Sequence, residues 1–182
     1  LLGKEDEAAK ALAGYLAVAE NNNLAAKNSF KFFEERLRLA DGKNLLGALI
    51  SVGRKPTATS LVYFGECQIE ADDPAAASTL ERALEIEPGN SECVAAYARM
   101  LARKGELSAA AKFLASVLHD PNRIDSLREQ LLLKSLLSEV LRHLERFDES
   151  VGIWEELCLD ASSVELCGPA PLIEATLSYL SN

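Results

Sequence analysis

The side chains that could do chemistry are few, and their spacing argues against most of what they could do. His143 has Glu139 one helical turn before it and Glu145 two residues after it, an arrangement in which an imidazole and a carboxylate could pass a proton. The same spacing belongs equally to the solvated face of a helix, which is the plainer reading. Glu34-Glu35 and Glu155-Glu156 are paired carboxylates, but neighbouring helical side chains point about 100° apart and do not converge on one atom. Gly42, Gly47 and Gly53 are spaced as turn and packing glycines, not as a phosphate-cradling loop. Cys67, Cys93, Cys158 and Cys167 form no CxxC pair, and His119 and His143 are the two histidines; a structural zinc site needs clustered ligands. No catalytic set, metal or cofactor is expected, and Trp154 stands at a core spacing.

The elements that would position these groups are helices. Over 182 residues, 48% are hydrophobic and 26% charged, with aromatics only 6%, a globular composition dominated by the helix formers Ala and Leu. The formal net charge is −9, from 19 basic and 28 acidic residues, which disfavours nucleic acid and anionic membrane as partners. No apolar run approaches the roughly 20 residues of a membrane-spanning helix. Cys67, Cys93 and Cys158 fall within helical patterns as small buried hydrophobes and Cys167 in a loop, usage that favours a reducing intracellular compartment such as the cytoplasm. Beginning at Leu1 inside a pattern, the chain reads as a piece of a longer protein.

Apolar spacing and turn residues divide the chain in order. A first helix runs to Glu20 and ends at Asn21-Asn22-Asn23. A second covers Leu24 to Ala40, with Phe30, Phe33 and Leu37 on one side, and Asp41-Gly42-Lys43-Asn44 is expected as the turn that stops it. A short helix spans Leu45 to Val52. Then come Pro56 to Ala71 (core stripe Tyr63, Phe64, Cys67), Pro74 to Glu87 (Ala76, Leu80, Ala83, Leu84), Glu92 to Lys104 capped by Ser91 (Val94, Tyr97, Ala98, Leu101) and Leu107 to Leu118 (Ala110, Leu114, Val117). Ser126 to Glu145, Arg146 to Leu159 and Pro171 to Leu180 complete the series, with a loop at 160–170.

Turn residues recur with a small residue five positions later: Gly3 with Ala8, Gly42 with Gly47, Ala71 with Ala76, Gly105 with Ala110, Glu145 with Ser150. Two short antiparallel helices approach closely only where a small side chain sits at their crossing, and stacked hairpins then share one continuous core. The steps between turns are 39, 29, 34 and 40 residues, one of them the period of about 34 of a tetratricopeptide repeat. The chain resembles that family, most strongly in 57–90 and 91–125, fairly in 126–162 and least in 23–56, with 1–22 as a half repeat and 171–182 as a capping helix. The resemblance implies an all-α single domain, a right-handed superhelical array of antiparallel helix hairpins with about ten helices.

In that family the first helix of each pair lines a concave face that holds a peptide or partner helix. Carried over, the inner positions are Leu61, Gly65 and Gln68, then Ala95, Arg99 and Arg103, then Ser135, Glu139 and Arg142. The groove candidates are Gln68, Arg99, Arg103, Glu139 and Arg142. The arginines suit a carboxylate held through two parallel hydrogen bonds, so the expected function is a non-catalytic protein–protein interaction scaffold for an acidic or C-terminal segment. Gly65 and Glu139 stand where chaperone-binding relatives use Asn or a basic residue, which speaks against that clamp. Two other readings stand beside it. One is a regulatory or substrate-presenting arm of an enzyme whose catalytic domain lies elsewhere. The other is a homo-oligomer formed through terminal helices exposing Tyr15, Leu16, Leu177 and Leu180.

Overall fold

The computed structural model describes residues 11, 22–35, 39–51, 56–120, 123–124 and 126–162. Among these residues the chain forms eight helices: α1 Asn22–Glu34, α2 Leu39–Ser51, α3 Ala58–Glu70, α4 Ala76–Ile86, α5 Ser91–Arg103, α6 Leu107–Leu118, α7 Leu127–His143 and α8 Phe147–Ser162. The expected count of about ten is slightly high against these eight. The expected helices at 1–20 and 171–180 lie outside the described residues, and with them Tyr15, Leu16, Cys167, Leu177 and Leu180. The fold is all-α, with neighbouring helices in antiparallel pairs, and the chain divides into two compact units, Leu1–Met100 and Leu101–Asn182.

In the first unit α3 is the central element, packed on α1, α2 and α4. Its start is specified locally. Thr57 accepts from the Ser60 backbone N–H at 3.2 Å while Ser60 Oγ accepts from the Thr57 N–H at 3.0 Å, a reciprocal cap worth about 1 kcal/mol. The Thr57 hydroxyl also donates to Asn23 Oδ1 at 2.5 Å, tying α3 to the first turn of α1. α3 packs on more than one side. Leu61 and Gly65 are buried, and the Gly65 backbone comes so close to Leu80 of α4 that a Cβ there would stand 2.6 Å from Leu80 Cδ2. Cys67 packs instead in a cluster with Ala26 and Leu46, bordered by Phe30, Tyr63 and Phe64.

The expected turn at 41–44 is helix: α2 runs through it. Gly42 is there for proximity, not for bending. A Cβ on it would meet Cys67 Sγ and Phe33 Cδ2 at 3.2 Å, so glycine lets α2 lie against both neighbours. The preceding helix accordingly ends at Glu34 and not at Ala40, and Asn22 and Asn23 begin it instead of ending the one before. Lys43 reaches from α2 to Asp73 in the α3–α4 turn at 3.1 Å. The Ala75 backbone N–H, and after it Lys43, hold the Asp73 carboxyl below its ordinary range. Asn90, not Ser91, caps α5, its Oδ1 accepting from the backbone of Glu92 and Cys93.

In the second unit α7 packs on both α6 and α8. Ala110, Leu114 and Val117 of α6 are buried, as are Leu133, Leu137, Val140 and Leu141 of α7 and Leu157 of α8. Lys134 and Glu156 pair across the α7–α8 hairpin at 3.3 Å.

Three turns share one backbone device. Asp72, Gly105 and Glu145 have φ of 49°, 80° and 61°, and the next residue in each case donates back to the carbonyl four before the left-handed one: Asp73 to Gln68 at 2.8 Å, Glu106 to Leu101 at 2.9 Å and Arg146 to Leu141 at 3.0 Å. This is the left-handed closure that ends a helix while satisfying its last carbonyls. It fixes the equivalence of the three first helices independently of side chains. Gln68, Leu101 and Leu141 are equivalent, and so are Gly65, Ala98 and Ser138, and so are Glu66, Arg99 and Glu139. In the α3–α4 pair the left-handed residue is therefore Asp72, one later than the Ala71 expected.

Candidate functional site

That equivalence decides where the candidate residues stand. Gln68 occupies a core position, only 4% exposed, and its Oε1 has no hydrogen-bond partner. Leu61 and Gly65, named with it as inner positions, are buried too. The α3 residue equivalent to Arg99 is Glu66. The structure brings those two together: Arg99 Nη2 donates to Glu66 Oε1, with the Arg99 side chain 51% exposed and that of Glu66 16%. Arg103 is exposed in the last turn of α5, while Glu139 is exposed and Arg142 half-buried on α7. Gln68 and Arg99 belong to the first unit and Arg103, Glu139 and Arg142 to the second.

Around Arg99 the first unit presents a face built from α1, α3 and α5. At its middle the Phe30 and Tyr63 rings meet with centroids 5.2 Å apart and planes tilted by 34°, within the range of favourable aromatic pairing. Both rings are half-buried. Toward the helix starts Lys27 of α1 lies 4.0 Å from Glu92 of α5, and toward the helix ends is the Glu66–Arg99 pair. An aromatic platform is thus flanked by an ion pair on either side. Burial pushes the Tyr63 hydroxyl up to about 12, reinforced by the charge and hydrogen bond of Glu92 and by the charges of Glu66 and Glu34. Carboxylates converge on this ring, and Lys27 and Arg99 offset part of their charge. Behind the face, Tyr97 of α5 donates to Glu81 of α4 at 3.3 Å.

Sequence spacing finds Tyr63 only as a core residue and does not find Glu66, Glu92, Lys27 or Phe30 as parts of a site. The signal for Glu66 was present in the separation of 33 residues between Glu66 and Arg99, close to the repeat period, once the helices are aligned on their left-handed residues.

Cys67 and Cys93 are buried free thiols, and burial with nearby glutamates pushes each up to about 12; neither has the lowered pKa of a reactive cysteine. Among the described residues no group of three His, Cys, Asp or Glu could hold a metal ion, and no helix is long and apolar enough to cross a membrane.

Residues 68–131 match the family model described as the tetratricopeptide repeat. Of solved structures, the chain resembles the crystal structure of MamA at a TM-score of 0.63 and 16% identity, covering 88% of this chain and 91% of that one. It also resembles YrrB, described as a TPR protein with an unusual peptide-binding site, at a TM-score of 0.55 and 15% identity, covering 90% and 86%. At these identities the likeness is one of fold. No curated protein matches the chain.

Proposed function

We propose that this chain, whose residues 68–131 match the tetratricopeptide repeat model and whose fold resembles that of MamA and YrrB, is a non-catalytic interaction scaffold that holds a peptide segment or helix of a partner protein on the α1/α3/α5 face of the first unit. The observation that carries this reading is the half-exposed Phe30–Tyr63 platform between two ion pairs. Aromatic rings supply contact area at little conformational cost, and charges at the edges set register more than affinity. YrrB gives a precedent for peptide binding on this fold.

The partner segment brings a carboxylate. Arg99 has five N–H donors, of which the Nη2 group meets Glu66, and its half-exposed guanidinium keeps a free edge for a second carboxylate.

The test compares wild type, Tyr63→Ala and Arg99→Glu as baits in the source extract, with mass spectrometry of retained proteins and circular dichroism to verify folding. A partner retained by wild type and lost from both folded variants supports the face. A partner retained equally by all three refutes it.

A further inference from the structure

We propose that Glu66 is an internal competitor for Arg99, a specificity-determining residue that sets how strongly a partner's carboxylate must bind to be accepted. The inference rests on the reading that this face takes a partner segment, and it assigns to Glu66 a role that no groove candidate carried.

Three observations converge on it. First, the turn geometry places Glu66 and Arg99 at the same position of successive first helices, so a partner lying across α3 and α5 meets both. Second, the pair is asymmetric. The Glu66 carboxylate is largely shielded, with 16% of its side chain exposed, whereas Arg99 is 51% exposed. A shielded charge is screened less by salt, so Glu66 keeps its hold on Arg99 while the arginine still faces outward. Third, the influence of Glu66 extends beyond the pair, since its charge contributes to raising Tyr63 at the platform. An arriving carboxylate must share the guanidinium with Glu66 or displace it, and in either case it approaches a like charge. Weak, diffuse anions are turned away, and a carboxylate that can also place contacts on the Phe30–Tyr63 platform is accepted. Specificity here comes from a built-in repulsive element as well as an attractive one.

The test is a titration with sodium acetate, the simplest carboxylate, followed by the 15N and 1H shifts of the Arg99 Nε–H group; Arg99→Lys assigns the signal. In Glu66→Gln, which keeps the shape of the side chain, half-saturation is expected at an acetate concentration about two- to five-fold lower than in wild type, the range an exposed or half-buried ion pair supports. Glu66→Ala should shift it in the same direction, and Glu85→Gln on α4 should leave it unchanged. Equal or weaker acetate binding in Glu66→Gln overturns the proposal, as does an Arg99 signal that responds to acetate in neither protein. The outcome is separable from the function itself. Partner retention that is insensitive to Tyr63→Ala sinks the binding face, whereas retention lost in Arg99→Glu without any gain in Glu66→Gln sinks only the competition.

Discussion

Ser138 of α7 and Ser150 of α8 meet face to face in the buried hairpin crossing, their hydroxyl oxygens 2.7 Å apart. Ser150 Oγ also donates toward the Ser138 carbonyl at 3.0 Å, and Ser138 Oγ lies 3.3 Å from the Ser150 carbonyl. The two small side chains let the backbones approach, and the hydroxyls satisfy each other where water is excluded. Replacing one partner leaves the other buried with its hydrogen bonding impaired, at a cost of about 1–3 kcal/mol. Ser138→Ala and Ser150→Ala should each lower the urea midpoint, while the double variant should cost less than the two single losses combined. Additive losses would show that the pair is not coupled.

Gln68 points to a gain. Its equivalents Leu101 and Leu141 are buried leucines, and its own Oε1 has no partner. An unsatisfied buried acceptor carries its desolvation cost with no return. Gln68→Leu should stabilise the protein by roughly 1 kcal/mol, read as a higher urea midpoint at unchanged slope, and it should leave partner retention on the α1/α3/α5 face intact. Loss of partner retention in a stabilised variant would return Gln68 to the binding surface.

Alkaline pH should weaken the fold in a defined window. Burial holds the thiols of Cys67 and Cys93, ordinarily near 9, and the Tyr63 hydroxyl, ordinarily near 10, up at about 12. The folded state therefore keeps these protons longer than the unfolded chain does. Their contribution is fully present below the unfolded values and is lost as pH rises from about 9 toward 12. Urea midpoints at pH 8, 9.5 and 10.5 should fall in that order. The fall should be smaller in Cys67→Ala/Cys93→Ala, and a midpoint flat across the series contradicts the assignment.

Much of the architecture was legible because it rests on local rules. Gly105 and Glu145 were readable as turn residues and have positive φ, and Ala76, Ala110 and Ser150 were readable as crossing residues and are buried. The failures share one cause. A glycine that ends a helix and one that admits a neighbouring helix look alike in sequence, so spacing makes Gly42 a turn where the structure makes it a contact. In the α3–α4 pair the small residue Ala76 follows the left-handed residue Asp72 by four positions, whereas Ala110 and Ser150 follow Gly105 and Glu145 by five. An alignment anchored on the small residue is therefore one position out in α3: it sets the buried Gly65 against Arg99 in place of Glu66 and hides the Glu66–Arg99 pair.

The contacts that bind α1, α3 and α5 together have a kinetic consequence. Asn23–Thr57 spans 34 residues, and Phe30–Tyr63 and Glu66–Arg99 span 33 each, while each hairpin turn closes within a few residues. Lys27–Glu92 reaches further. Loop-closure entropy grows only logarithmically with loop length, and chains dominated by such short closures fold fast. A nascent chain can therefore complete each hairpin and lay it on its predecessor as it emerges, without holding an apolar strip exposed while a distant segment is still being made.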